Sequence, residues 1–232
     1  DRMREKSGIR PASGSSSQSL VIHLFWKEEN AEVFIDTAGE SIAKHGYRKI
    51  PGQAPMLEAL ASSTVMATRW DRTSPFINPM CGSGTIAIEA ALIATNRYPG
   101  LFRNNYSFMH LAGYDEKIYT DCLEMIKSKI IPKPELEIIA SDISGRAIEN
   151  AALNASAAGV RDLIRFEICD FADTHLPETE SGIIFFNPEY GERLGEVEEL
   201  AETYSRMGDF LKQKCKGYTG YIFTGNPDLA KK

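Results

Sequence analysis

Phe76-Ile77-Asn78-Pro79-Met80-Cys81-Gly82-Ser83-Gly84-Thr85 is the stretch that decides the architecture. Apolar residues lead into it, and small apolar side chains from Ile86 to Ala94 lead out. That is the pattern of a buried strand, a glycine turn and a helix. Gly82 and Gly84 flank a single serine, so backbone can approach a ligand there with no Cβ between them. The first N–H groups of the helix beyond lack intrahelical partners and favour a polar or anionic group. Two glycines at a strand–helix turn are equally explained by packing, so this stretch alone leaves both readings open.

Toward the C-terminus the pattern alternates. Leu136 to Ala140 is a short strand ending at Ser141-Asp142, Leu163 to Cys169 ends at Asp170, Gly182 to Phe186 ends at Asn187, and Gly220 to Thr224 is a fifth strand. Between them, Ile148, Ala151, Ala152 and Ala155 recur at helical spacing up to Gly159, and Val197, Leu200, Ala201, Tyr204, Met207 and Leu211 do so over a longer run. Ile118, Tyr119, Cys122, Leu123, Ile126 and Ile130 mark an inserted helix. The alternation predicts an α/β fold, a mostly parallel Rossmann-like sheet with helices on both faces. Ligands in such sheets bind beyond the carboxyl ends of the strands, where strand order reverses. Four of those ends carry polar groups: Asn78, Asp142, Asp170 and Asn187.

Toward the N-terminus, residues 1–19 are polar and serine-rich, and Gly14 to Ser19 has a flexible linker's composition. Leu20 to Trp26 and Ala31 to Asp36 predict a hairpin around Lys27–Asn30. A lone hairpin is marginal in water, so this one leans on the main body or belongs to a larger domain. Lys44-His45-Gly46-Tyr47-Arg48-Lys49 reads as a solvated turn or as a phosphate-contacting patch. Pro55 suits a first helical turn, and Leu57, Leu60, Ala61 and Val65 carry a helix toward Trp70. The aromatic, basic segment from Asn96 to Phe108 is an irregular loop that either packs on its own rings or stacks unpaired bases.

Composition bounds the function. The 232 residues, 43% hydrophobic, suffice for one well-filled core and a small appended piece. A net charge of −6 excludes a chain that grips nucleic acid by overall charge; RNA contact needs a local basic patch. Cys81, Cys122, Cys169 and Cys215 form no C-x-x-C pair, which argues against a disulfide framework and a zinc site, and no metal is expected. Free thiols, no signal peptide and no apolar run of ~18 residues predict a cytoplasmic protein that does not enter a membrane.

Each strand-end group has a chemical and a local explanation. The Asp142 carboxylate can accept both hydroxyls of a ribose or cap the following helix. Asp170 can accept from an exocyclic amine such as adenine's, with Phe171 packing on the base, or it caps a turn. Asn187-Pro188 at a strand end is an ordinary turn, or an amide oxygen and a carbonyl that together accept both N–H bonds of an exocyclic amino group. Tyr190 can then stack on the ring, which requires a base out of its stack.

Asn187-Pro188-Glu189-Tyr190-Gly191-Glu192-Arg193-Leu194-Gly195 resembles the motif of class I S-adenosylmethionine-dependent methyltransferases that act on exocyclic amines. The Asn78–Thr85 turn resembles their methionine-binding loop, and Asp142-Ile143-Ser144-Gly145-Arg146-Ala147-Ile148 their ribose-binding strand end. With Asp36-Thr37-Ala38-Gly39-Glu40 and His45-Gly46-Tyr47-Arg48, the chain resembles the THUMP-domain rRNA large-subunit guanine-N2 methyltransferases over nearly its whole length.

The resemblance implies S-adenosyl-L-methionine as cofactor and large-subunit rRNA as partner. It implies that Asn78, Pro79, Cys81, Gly82, Ser83, Gly84 and Thr85 form the methionine loop, that Asp142 and Ile143 lie at the ribose, and that Asp170 and Phe171 lie at the adenine. Asn187, Pro188 and Tyr190 then orient the guanine amine. Residues 1–49 would be the hairpin and linker at the tail of an RNA-binding THUMP domain, and 50–232 a methyltransferase domain whose last two strands follow Lys232. Glu189 stands where the family has a second proline, which restricts the backbone less and leaves open an acid or base role. The motif alone fits an adenine N6 or a glutamine amide as well. A nicotinamide-dependent dehydrogenase is disfavoured, because the gap from Gly84 to Asp142 far exceeds the roughly 20 residues its fingerprint needs. A non-catalytic RNA-binding module is the remaining alternative.

Overall fold

The computed structural model describes residues 2–8, 19–50, 55–189 and 196–231. The expected linker, apart from Ser19, and Tyr190 with the rest of its motif up to Gly195 lie outside the described residues.

Helix α1 (Arg2–Ser7) precedes an antiparallel hairpin of β1 (Val21–Lys27) and β2 (Asn30–Asp36), paired from Val21↔Asp36 to Lys27↔Asn30. Its turn is only Glu28-Glu29, tighter than expected, with Glu28 left-handed at φ 55°. Then come α2 (Glu58–Ala67), β3 (Phe76–Pro79), α3 (Thr85–Ala94), α4 (Glu116–Lys127), β4 (Ile138–Asp142), α5 (Gly145–Ala157), β5 (Ile164–Ile168), β6 (Gly182–Phe186), α6 (Glu196–Gln213) and β7 (Tyr218–Ile222). The second sheet runs β5-β4-β3-β6-β7 with every neighbouring pair parallel. Where expected boundaries moved, the ladder moved them. β4 extends to Asp142 because that residue pairs with Ile168, and β7 starts at Tyr218 because it pairs with Gly182. Helix α2 stops short of Trp70 because the Thr68 N–H and hydroxyl both donate to the Val65 carbonyl, at 3.1 and 2.7 Å.

Strand side chains alternate between two cores, the period-two rule applied to a sheet covered on both faces. Phe76, Ile138, Ile164, Ile183 and Phe185 meet α2, α3 and α5 on one side. Ile77, Ile139, Ile184 and Phe186 meet Met207 and Phe210 of α6 on the other, with Phe171 among them. Helix α3 is apolar on nearly all sides and correspondingly buried.

Its one charged residue, Glu89, is 1% exposed and accepts from the Tyr47 hydroxyl at 2.8 Å, with His45 Nδ1 also at 2.8 Å. A buried carboxylate requires such partners. Burial, reinforced by the Glu89 charge, pushes the Tyr47 phenol well up, so it remains a donor. Arg48 donates to Thr85 Oγ1 at 3.0 Å and to the Met56 carbonyl, and lies 3.7 Å from Glu58. His45, Tyr47 and Arg48 of the basic tail thus form a seam joining the N-terminal segment to the sheet unit, while Lys44 and Lys49 stay exposed. Contacts cross a division placed at residue 49: besides this seam, the Ala43 carbonyl accepts from Ala59 N at 3.2 Å.

The hairpin is tied in near its base, where Ser107 Oγ donates to the Ser19 carbonyl (3.0 Å) and Phe108 N to the Thr37 carbonyl (3.0 Å). Ile22, Leu24, Trp26, Val33 and Ile35, all on one face by register, are each more than half exposed. In the inserted segment the rings pack on one another: Tyr106 stacks on Phe108 at 5.3 Å, and Phe108 meets Tyr114 and Tyr119 at 6.0 and 5.8 Å. Self-packing is the alternative realised there. Among the described residues no helix is long and apolar enough to cross a membrane.

Candidate active site

The chain visits β4 and β5 on one side of β3, then crosses to β6 on the other, so strand order reverses between β3 and β6. The register Ile77↔Ile184, counted onward, brings Asn187 level with Met80 at the start of the glycine turn. Asn78, 1% exposed, donates from Nδ2 to the Phe185 carbonyl at 2.8 Å and binds the two strand ends together. Its Oδ1 is buried with no partner among the described residues. Pro79 ends β3, and Met80 then takes φ 53°, a conformation costly for a side chain with a Cβ and one that clusters at functional turns.

The two glycines do different work. Gly82, at φ +55°, has open space where a Cβ would point, and its N–H donates to Asp142 Oδ2 at 2.9 Å. Gly84, at φ +80°, would place a Cβ 2.8 Å from the Ala151 Cβ and 3.3 Å from its Cα, so its role is the close approach of α3 to α5. Ser83 is buried, its hydroxyl 3.4 Å from that of Thr85, and its carbonyl accepts from Asn154 Nδ2 at 3.2 Å. The Asn154 Oδ1 accepts from the N–H groups of Lys49 and Ile50, at 2.9 and 3.0 Å. One buried amide thus clamps the N-terminal seam to the glycine turn.

Asp142 splits its carboxylate, Oδ2 to Gly82 and Oδ1 to the Ser144 N–H at 2.9 Å. It does not cap α5; Ser144 does, accepting from Ala147 N at 3.3 Å. Ile143 beside it and Ile168 opposite it are 74% and 64% exposed, an uncovered apolar patch at the carboxyl edge. Asp170 caps the turn after β5, accepting from Ala172 N at 2.9 Å, and pairs with Arg206 at 2.9 Å. Burial would raise its carboxyl, but the Ala172 amide and Arg206 outweigh it and hold it below the ordinary carboxylate value. Phe171 is 6% exposed, packed edge-on against Phe186 and Phe210 with Arg206 over its ring, so its faces are engaged by protein.

Asn187 is half-buried, and its amide makes no hydrogen bond among the described residues. Pro188 is buried and the Glu189 side chain exposed. The Glu189 carbonyl accepts from the Tyr204 hydroxyl at 3.1 Å, which is itself 2.9 Å from Thr224 Oγ1. Tyr204 therefore restrains the backbone at the position where a second proline is missing. Tyr204, Asn154 and Arg206 escaped the sequence reading. The first falls on the apolar face of its helix by spacing, and the second lies between Ala151 and Ala155 on the buried face of α5, where a polar side chain demands partners.

Burial, with a smaller contribution from Asp142, pushes the Cys81 thiol far up, which leaves almost no thiolate at neutral pH. Timed alkylation of the native protein is expected to label exposed Cys122 first and half-buried Cys81 much more slowly, read by peptide mass spectrometry. Early labelling of Cys81 contradicts this geometry.

A family model described as "RMKL-like, methyltransferase domain" matches residues 45–232. The chain belongs to that family. The model begins at His45, where the buried seam begins. The "Ribosomal RNA large subunit methyltransferase K/L" of Aliivibrio salmonicida (strain LFI1238) is 35% identical over 233 residues, covering 99% of this chain and 33% of the relative. The chain thus spans about a third of that relative's length. SMU.472, assigned as a methyltransferase and crystallised with SAH, superposes with a TM-score of 0.82 at 31% identity, covering 91% of this chain and 55% of that one. A Listeria monocytogenes str. 4b F2365 protein, assigned as an N6-adenine-specific DNA methylase, superposes at 0.81 with 34% identity, covering 90% and 55%. The RMKL-like chain has the α/β methyltransferase fold, with the small antiparallel hairpin added at its N-terminal side.

Proposed function

We propose that this RMKL-like chain transfers a methyl group from S-adenosyl-L-methionine to the exocyclic N2 amine of a guanine in large-subunit rRNA. The observation that carries this is the Asn187 amide, unbonded among the described residues, at the end of β6 across the strand-order switch from the glycine turn after β3. The residues present fit the cofactor. Gly82 leaves space open, Asn78 Oδ1 is a buried acceptor without a donor among the described residues, and Asp142 stands beside an exposed apolar patch. S-adenosyl-L-methionine, when bound, supplies an electrophilic methyl on a sulfonium.

The chain supplies alignment. Asn187 Oδ1 and the Pro188 carbonyl accept the two N–H bonds of the amine, which turns the nitrogen lone pair out of the ring plane and toward the turn. Tyr190 stacks on the base. Transfer would break the methyl–sulfur bond and leave S-adenosylhomocysteine, and the methylated amine, acidic only then, would lose its proton to water, so no base is needed before the bond forms. Effective-concentration gains from such positioning are on the order of 7–11 kcal/mol. The exposed Glu189 carboxylate is given no acid or base role. Asp142 takes the ribose hydroxyls and Asp170 the adenine amine.

Calorimetry of S-adenosyl-L-methionine with the 232-residue chain and with Asp142→Ala tests the cofactor site. Loss of the charge-assisted bonds is expected to weaken binding about 100-fold. A folded chain with no affinity for the cofactor overturns the proposal. The Listeria assignment favours adenine N6 as a second reading; nucleoside analysis after RNA methylation separates N2-methylguanosine from N6-methyladenosine.

The exposed apolar hairpin fits the tail of an RNA-binding unit of the THUMP kind, working in the cytoplasm. Ultraviolet crosslinks from bound RNA to residues 21–36 support that; crosslinks confined to the sheet unit overturn it.

A further inference from the structure

We propose that Arg206 is a positioning residue that fixes how Asp170 presents itself to the adenine amine of the cofactor, and so sets nucleobase discrimination at that end of the site. This rests on the cofactor reading above.

The geometry is specific to one oxygen. Arg206 Nη2 and the Ala172 N–H both reach Asp170 Oδ1, each at 2.9 Å. Among the described residues Oδ2 accepts from nothing. A carboxylate pinned at one oxygen by two donors cannot rotate, and its second oxygen stays available to another N–H. Had Arg206 taken both oxygens as a fork, it would compete with a ligand; bound to one, it orients.

Arg206 is itself fixed. Its guanidinium carbon lies 4.8 Å from the centroid of the Phe171 ring. That ring is set by Phe186 at 5.9 Å (87°) and Phe210 at 6.0 Å (81°). Lys214, also on the α6 side, donates to the Ala172 carbonyl at 2.8 Å and steadies the same turn. Arg206 of α6 and Lys214 just beyond its end thus supply two cations, one on the Asp170 carboxylate and one on the backbone it caps.

Stability does not account for the arrangement. The Arg206 and Asp170 side chains are 48% and 29% exposed, and such exposed pairs add little to folding. What the pair does supply is a carboxylate held ionised in a set direction. That carboxylate accepts from a 6-amino group and repels a 6-oxo group.

The test measures binding of S-adenosylhomocysteine and of its 6-oxo counterpart, S-inosylhomocysteine, by calorimetry with the 232-residue chain. Wild type is expected to prefer the amino form by roughly 10–100-fold, the range for a hydrogen bond to a charged group. Arg206→Met is expected to reduce that preference to within about threefold while the melting temperature stays within about 2 °C, the outcome for an exposed pair. Arg206→Gln, which keeps a polar head without the charge, is expected to show the same loss and decides the matter if the Met variant does not fold. Full preference retained in these variants, with Asp170→Asn losing it, overturns the role of Arg206. Full preference retained in Asp170→Asn overturns the placement of Asp170 at the adenine instead.

Discussion

Asn187→Ala is expected to lower methyl transfer about 10²–10³-fold in kcat while leaving cofactor affinity and melting temperature close to wild type. The size follows from removing one preorganised polar partner of the reacting group and misplacing the amine. The fold should tolerate the change, because the amide makes no hydrogen bond among the described residues and truncation leaves nothing unpaired. Single-turnover methylation with the cofactor saturating separates this from weaker RNA binding. Tyr204→Phe is the graded companion. It removes the hydroxyl that holds the Glu189 carbonyl at 3.1 Å, and a neutral hydrogen bond of about 0.5–1.5 kcal/mol sets a loss of roughly 2–12-fold. Full activity of Asn187→Ala would mean that the β6 end does not hold the acceptor.

Gly84→Val should be the most destabilising single change in the glycine turn, by about 3–5 kcal/mol. Two costs add: a β-branched residue at φ +80°, and a side chain driven into Ala151, where even a Cβ would lie 2.8 Å from its partner. For a domain of this size the melting temperature should fall by roughly 6–20 °C. Ala151→Gly in the same chain should restore part of the loss, since it removes the Cβ–Cβ clash and leaves the backbone strain. Gly82→Ala is the contrast. It faces open space at φ +55°, so about 1 kcal/mol of stability is at stake, and the larger effect falls on cofactor affinity. If Gly84→Val melts like wild type, the close approach of α3 to α5 is wrong.

The contrast between the two glycines marks how far the sequence could be read. Gly82-Ser83-Gly84 announced a turn where backbone comes near something, but not that one glycine meets open space and the other a helix. The strand ends were legible because each buried strand closes on a polar residue, and periodicity fixes strands well. The fate of His45, Tyr47 and Arg48 was not legible, because a run of cationic and aromatic residues looks solvated until its acceptors are known. Those acceptors, Glu89 and Thr85, lie some forty residues away. One clue was present: a glutamate inside the otherwise apolar Ile86–Ala94 run must find donors from elsewhere. Asp142 shows a different limit. Capping and ligand binding were posed as rival roles, whereas its two oxygens go to Ser144 and Gly82, and the cap is the neighbouring serine.

The seam at His45–Ile50 has a practical corollary for anyone trimming or grafting this enzyme unit. A version starting at Pro55 would strand a carboxylate inside greasy surroundings and strip Asn154 of the strap it grips. Such a truncation should aggregate on expression, whatever its catalytic residues. Chimeras that swap the front of the protein for a foreign RNA-binding module must therefore carry those six residues across with the sheet, as though they were its own first strand.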